Sequence, residues 1–158
     1  MEIISLSKEY AMQNAELILD LEQFWQEIGD DVWTLENLLL TIPGKWKLSH
    51  VALEHGKIIG YQVGSLYEED SVYLNKIVVN PDIRRKGCGR GLLKQFLEKS
   101  LKIGREQVKF KVRTENPAAN FYDRLDFLKR DKLDYSRKDG IPSFFYDTSI
   151  KDVLPNLQ

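Results

Sequence analysis

The 158-residue sequence predicts an α/β fold: a mixed, mostly antiparallel central sheet of about seven strands flanked by about four helices. Three observations predict it. Apolar runs joined by tight turns in the middle of the chain read as antiparallel hairpins. After them, helical and strand patterns alternate, which calls for helical crossovers. No linker, repeat or low-complexity tract interrupts residues 1–158, and the length suits one domain.

The elements follow in order. Glu2–Leu6 is a short apolar run that fits a first strand. From about Gln13 to Ile28, Leu17, Ile18, Leu21, Phe24, Trp25 and Ile28 recur at helical spacing, and Gly29 stops the helix. Thr34 caps a second helix that carries Leu35, Leu38 and Leu39. Pro43-Gly44 breaks the chain, and two apolar runs then flank the turn Glu54-His55-Gly56-Lys57. The turn Glu68-Glu69-Asp70 leads into a strand from Val72 to Val79, which Pro81 ends. Leu92, Leu93, Phe96, Leu97 and Leu101 mark one helix face, and Val108, Phe110 and Val112 alternate with Lys109 and Lys111 in a strand. Asn116-Pro117 opens another helix, with Ala118, Phe121, Tyr122 and Leu125 on one side. Two more strands are expected near Phe127–Tyr135 and Ser143–Ile150.

Composition narrows the function classes. Hydrophobic residues make up 42% and charged residues 30%, which is ordinary globular composition with material for a core. A net charge of −1 gives no global sign of nucleic acid or an anionic membrane as partner. A single cysteine, Cys88, excludes a disulfide within the chain and suits a reducing compartment. The opening MEIISLSKEY lacks the basic-then-apolar pattern of a secretory signal, and no apolar run nears the roughly 20 residues needed to span a bilayer. A cytoplasmic location is the expectation.

The chemistry concentrates in Val79-Asn80-Pro81-Asp82-Ile83-Arg84-Arg85-Lys86-Gly87-Cys88-Gly89-Arg90-Gly91. A strand feeds a loop and the loop feeds a helix. Alternate glycines let backbone approach a ligand, and the helix start offers N–H groups without internal partners, with the dipole favouring an anion. Arg84, Arg85, Lys86 and Arg90 add charge suited to a ligand with several phosphates. The segment has no Gly-Lys-Ser/Thr run of a P-loop. Leu92 stands where a dinucleotide fingerprint needs its third glycine.

Val79-Asn80-Pro81 followed by Arg84-x-x-Gly87-x-Gly89 resembles the acetyl-CoA signature of the GNAT family of N-acetyltransferases. The stretch from Asn116 to Phe127 is similar to that family's second signature, in which an asparagine opens a helix ending in Tyr-x-x-Leu-Gly-Phe. The clear resemblance covers about residues 72–127. It implies a sheet splayed between the strands ending at Val79 and near Val112. The pantetheine arm would pair with backbone of Ile77, Val78 and Val79. Pyrophosphate would meet Arg84, Arg85, Lys86, Gly87, Cys88, Gly89 and Arg90, and Asn116 would touch the coenzyme arm. Tyr122 would face the thioester sulfur and protonate the departing thiolate. Acetyl-CoA is then the co-substrate, with no metal, and the partner is an amine acceptor, with a homodimer left open.

Two departures from the family pattern matter. Where relatives often carry a glutamate base, this chain has Tyr73, with Asn75 two residues on. Glu54, or the acidic turn at Glu68, would then act through water, and the missing glutamate tilts the acceptor toward a small molecule. Asp126 replaces the usual glycine, and aspartate tolerates positive φ better than most residues. The helix start is expected to lower the pKa of Cys88. His50 and His55 read as surface or turn residues. Glu22, Glu27, Asp30, Asp31 and Glu36 read as a solvated face or as a lure for a cationic amine. The competing function is a catalytically inactive acyl-CoA-binding sensor or interaction module.

Overall fold

The computed structural model describes residues 1–26, 31–83 and 87–158. The expected Gly29 stop and the Arg84-Arg85-Lys86 run lie outside them. The first strand, β1 (Glu2–Ser5), precedes a helical stretch that begins earlier than the apolar periodicity implies. Ser7 caps α1 (Lys8–Gln13) by accepting the Tyr10 N–H. Asn14, at φ −120°, breaks the run before α2 (Ala15–Leu19), a 3-10 turn (Asp20–Glu22) and α3 (Gln23–Gln26). One long helix is thus replaced by short pieces, and Leu17 of the expected apolar face is 58% exposed. Thr34 caps α4 (Leu35–Leu39) in a reciprocal box with Asn37.

β2 (His50–Glu54) and β3 (Lys57–Tyr67) form the expected hairpin. Its two-residue turn has positive φ at both His55 and Gly56, the geometry that matches strand twist. β4 (Ser71–Val79) follows, then α5 (Cys88–Lys102), β5 (Gln107–Arg113), α6 (Ala118–Arg124), β6 (Ser143–Ser149) and α7 (Ile150–Val153). The sheet has six strands in the order β1-β2-β3-β4-β5-β6. Only β4 and β5 are parallel, joined by the α5 crossover.

The seventh expected strand is the main correction. Phe127–Tyr135 pairs with the β6 backbone only at isolated bridges, Lys129–Tyr146 and Asp134–Ser143. Between them lies Arg130-Asp131-Lys132, a polar run with no alternating apolar face to hold it on the sheet. Asp126 takes φ +65°, as its residue type allows.

Each sheet face carries its own core. On one, Leu93, Phe96 and Leu97 of α5 and Tyr122 of α6 pack on Val108, Phe110, Val112 and Tyr146. On the other, Ala11, Ile18 and Leu38 pack on Val51, Tyr61, Val63 and Val78, and no residue of β5 or β6 belongs to that cluster.

Candidate active site

The central feature is where β4 and β5 part. They pair only at Ser71–Gln107, Val72–Val108 and Tyr73–Lys109. Beyond that point β4 continues to Val79 on β3 alone, and β5 continues to Arg113 on β6 alone. A wedge-shaped gap opens between them. Ile77, Val78 and Val79 form its β4 wall, each paired on its far side to β3. A bulge near Val63 and Gly64 leaves Asn75 without a β3 partner in the register, and its Oδ1 accepts the Ser65 hydroxyl at 2.8 Å.

At the mouth of the gap, Gly87 takes φ +80° and caps α5 with no side-chain hydrogen bond. Among the described residues, no side chain takes the first N–H groups of this 15-residue helix. A side chain built on Gly89 would find Phe121 and Val79 at 3.9 Å, so Gly89 opens between the β4 wall and α6. Arg90 points elsewhere. Its Nη1 donates to the Asn156 carbonyl at 3.0 Å, and the Asn156 amide donates to the Leu125 carbonyl.

Cys88 departs from expectation. Its side chain is buried with Ala52, Ile59 and Leu92, and burial, aided by the nearby Glu54 charge, pushes the thiol up to about 11. Desolvation outweighs the helix start. Glu54 itself closes the β2–β3 hairpin opposite Lys57.

Tyr122 stands against Phe110, with ring centroids 4.6 Å apart, and packs with Phe121, Phe127 and Tyr146. Burial raises its pKa well above the ordinary phenol value, so it stays protonated at neutral pH. Asn116 is buried, and its Oδ1 accepts the Ala118 N–H at 2.9 Å at the head of α6. Tyr73, at the apex of the gap, stacks obliquely on Tyr67 at 5.2 Å. Burial, then the charges of Tyr67 and Asp134, push it up to about 12, against a hydrogen bond from the Lys111 backbone.

The opposite face of the gap holds residues that sequence reasoning misread. Glu22 is fully buried. It accepts a short hydrogen bond from the Tyr61 hydroxyl, pairs with Lys76 Nζ at 3.0 Å, and accepts the Trp33 N–H at 3.3 Å. Helical spacing gave no sign of this, since a buried acid shares its period with the apolar residues beside it. Lys76 also donates to the Asp31 carbonyl at 2.8 Å. Arg137 grips the Asp31 carboxylate with two nitrogens at 3.1 and 3.2 Å and Asp139 at 2.9 Å. Asp139 lies 4.0 Å from Arg113 at the end of β5. A chain of polar contacts therefore crosses the gap from Lys76 on β4 to Arg113 on β5. His50 is another surprise: it is 2% exposed, bonded through Nδ1 to Gln62 at 2.8 Å, with Nε2 unpaired.

Among the described residues no three His, Cys, Asp or Glu side chains converge as a metal site, and no helix is long and apolar enough to cross a membrane.

Residues 45–129 match a family model described as an acetyltransferase (GNAT) domain. The UPF0039 protein C11D3.02c of Schizosaccharomyces pombe is 31% identical over 98 residues, covering 61% of this chain. That match spans 64% of the relative's own length. Among solved structures, Ard1 from Thermoplasma volcanium superposes with a TM-score of 0.79 at 22% identity, covering 94% of this chain and 96% of that one. The ribosomal-protein-S18-alanine N-acetyltransferase of Escherichia coli gives 0.72 at 22% identity over 94% and 93%. The protein yncA from Salmonella typhimurium, solved with its cofactor acetyl-CoA, gives 0.68 at 18% over 94% and 93%. At these identities the likeness shows the shared fold.

Proposed function

The chain belongs to the acetyltransferase (GNAT) family, and we propose that it transfers the acetyl group of acetyl-CoA directly to the primary amine of a small molecule or a protein. The observation that carries this reading is the wedge between β4 and β5, flanked at its mouth by a helix start whose cap, Gly87, has no side chain, and by an open glycine.

The residues present fit acetyl-CoA. The α5 N–H groups at Gly87, Cys88 and Gly89, with the charges of Arg84, Arg85 and Lys86, suit a pyrophosphate. Backbone of Ile77, Val78 and Val79 suits the strand-like amide groups of the pantetheine arm. Gly89 leaves room for that arm between Val79 and Phe121. Asn116 caps the head of α6 through Oδ1 and is the residue there that would contact the arm. When bound, the coenzyme supplies an activated acyl group as a thioester.

This chain's own residues then handle charge and protons. A backbone N–H near Val78 stabilises the carbonyl oxygen as charge develops. Tyr122 is a protonated phenol in an apolar pocket, placed to give its proton to a leaving thiolate. A thiol has an unperturbed pKa of about 8.5, and the desolvation that raises the phenol raises the thiol too, so the transfer stays near balance. Tyr73 remains a phenol at neutral pH and orients the amine by hydrogen bonding. With no carboxylate on β4 to act as base, an α-amine, at about 8, enters more easily than a lysine-type amine at about 10.4.

The test is thiol release from acetyl-CoA against a panel of primary amines, with calorimetric binding alongside. Amine-dependent release supports the reading. Tight acetyl-CoA binding with no turnover on any amine points to a sensor, and absence of binding overturns both.

A further inference from the structure

Three cationic side chains, Lys109, Lys111 and Arg113, stand at alternate positions on β5. They face away from the Phe110–Tyr122 core, on the side from which the Asp31–Arg137 contact crosses the gap. The strands part after the Tyr73–Lys109 pair. Arg113 lies four residues beyond it on β5, and Val78, with Asn75 bulged out of the register, lies four paired positions beyond it on β4, each about 13 Å along its strand. They are therefore level with one another on opposite walls. A group attached to an amine held near Ile77 and Val78 meets Arg113.

The charges there are asymmetric. The Arg113 side chain is only 7% exposed and fixed on a strand. Arg137, from the following loop, is 20% exposed. Among the described residues, their counter-ions include loop carboxylates open to water: Asp31 is 75% exposed and Glu115 is 64% exposed. Asp139 lies between the two guanidiniums, at 2.9 Å from Arg137 and 4.0 Å from Arg113. Exposed carboxylates return to water at small cost, because exposed ion pairs are worth little. A carboxylate held against two largely buried guanidiniums gains charge-assisted, forked hydrogen bonds.

We propose that Arg113 and Arg137 form an anion-binding subsite of the acceptor cleft, filled in the resting chain by Asp31 and Asp139, and that the acceptor is an α-amine with a carboxylate close to it. This rests on the acetyltransferase reading and narrows its acceptor class. For Asp31 it replaces the idea that acids in this region attract a cationic amine, since Asp31 already holds the Arg137 guanidinium.

The experiment measures kcat/KM for alanyl peptides carrying glutamate, glutamine or lysine at the second and third positions, with free aspartate and glutamate run beside them. The expected result is at least a tenfold preference for the glutamate peptide or the free acidic amino acids over the glutamine and lysine peptides. The better of those two acidic forms identifies the source as polypeptide or small molecule. Arg137→Gln should cut the acidic-to-neutral ratio about tenfold. Asp31→Asn, which removes a competitor, should raise it, and added salt should lower it. Equal or better turnover of the glutamine or lysine peptide, or an unchanged ratio in Arg137→Gln, overturns the proposal while leaving the acetyltransferase reading intact. Bound acetyl-CoA with no turnover of any amine overturns that reading, and the subsite with it.

Discussion

Gly64 and Gly89 lack a side chain for opposite reasons. A methyl at Gly64 would lie 2.3 Å from Phe96 and 2.9 Å from the Leu48 carbonyl, both in the packed interior. Gly64→Ala is expected to cost about 2–3 kcal/mol by overpacking. In a domain of this size that lowers the melting midpoint by roughly 5–10 °C, readable by calorimetry. Gly89 has no such neighbour. Gly89→Ala should leave stability unchanged, whereas Gly89→Glu should abolish acetyl-CoA binding by placing bulk and negative charge at the helix start. Tyr122→Phe tests the proton donor. Removal of a general acid typically costs about 10²–10⁴-fold in turnover, so kcat should fall while calorimetric affinity for acetyl-CoA holds. His50 sets a pH dependence. Burial lowers its pKa from 6.5 to about 4, against the raising effect of its bond to Gln62. Between those values the unfolded chain binds the proton and the folded chain does not. Stability is therefore full above about pH 6.5, falls through the window to about pH 4, and loses about 3 kcal/mol in all. His50→Gln should flatten that part of a denaturant-midpoint profile against pH.

At the scale of elements, a single side chain holds the end of α4. Lys45, 1% exposed, donates from Nζ to the carbonyls of Asn37, Leu38 and Leu40 at 3.1, 2.7 and 2.6 Å. Its ammonium therefore occupies the C-terminal end of α4, where the helix dipole favours a cation. It also sits over the Trp46 ring at 4.7 Å. Lys45→Met keeps the stem and removes the charge. The expected loss is about 2–3 kcal/mol, with exchange protection falling first in α4. Nothing local in the sequence marks Lys45, because its partners are backbone carbonyls set by the fold. The same contrast runs through the other elements. The β2–β3 hairpin was legible because His55-Gly56 is a chemical requirement of the turn. The starts of α5 and α6 were legible because their motifs are contiguous. The short pieces α1, α2 and α3 were not, since Ser7 and Asn14 act through capping and dihedral preference beneath a smooth apolar period. Glu22 and Lys76 were missed because their pairing spans the chain. Removing one partner of such a buried pair is costly.

For the whole molecule, the split sheet has a thermodynamic consequence. β1 to β4 lie between the first four helices on one face and α5 on the other, while β5 and β6 pack with α6 and α7. Three β4–β5 residue pairs join the halves directly, helped by α5, which packs on both β3 and β4, and by the polar chain from Lys76 to Arg113. A ligand lying along Ile77–Val79 and against α6 would add contacts to both halves at once. It would bind the folded chain and not the unfolded one. At about 100 times its dissociation constant such a ligand adds about 2.7 kcal/mol. For this length that is a rise of roughly 5–10 °C in the melting midpoint. Acetyl-CoA is expected to give this shift, and Gly89→Glu is expected to remove it. Hydrogen exchange locates the effect. Protection should rise at Phe110–Arg113, the part of β5 that has lost its β4 neighbour, more than at Gln107–Lys109, where the strands already pair. A uniform rise, or one confined to α1 and α2, would mean that the coenzyme does not lie in the wedge.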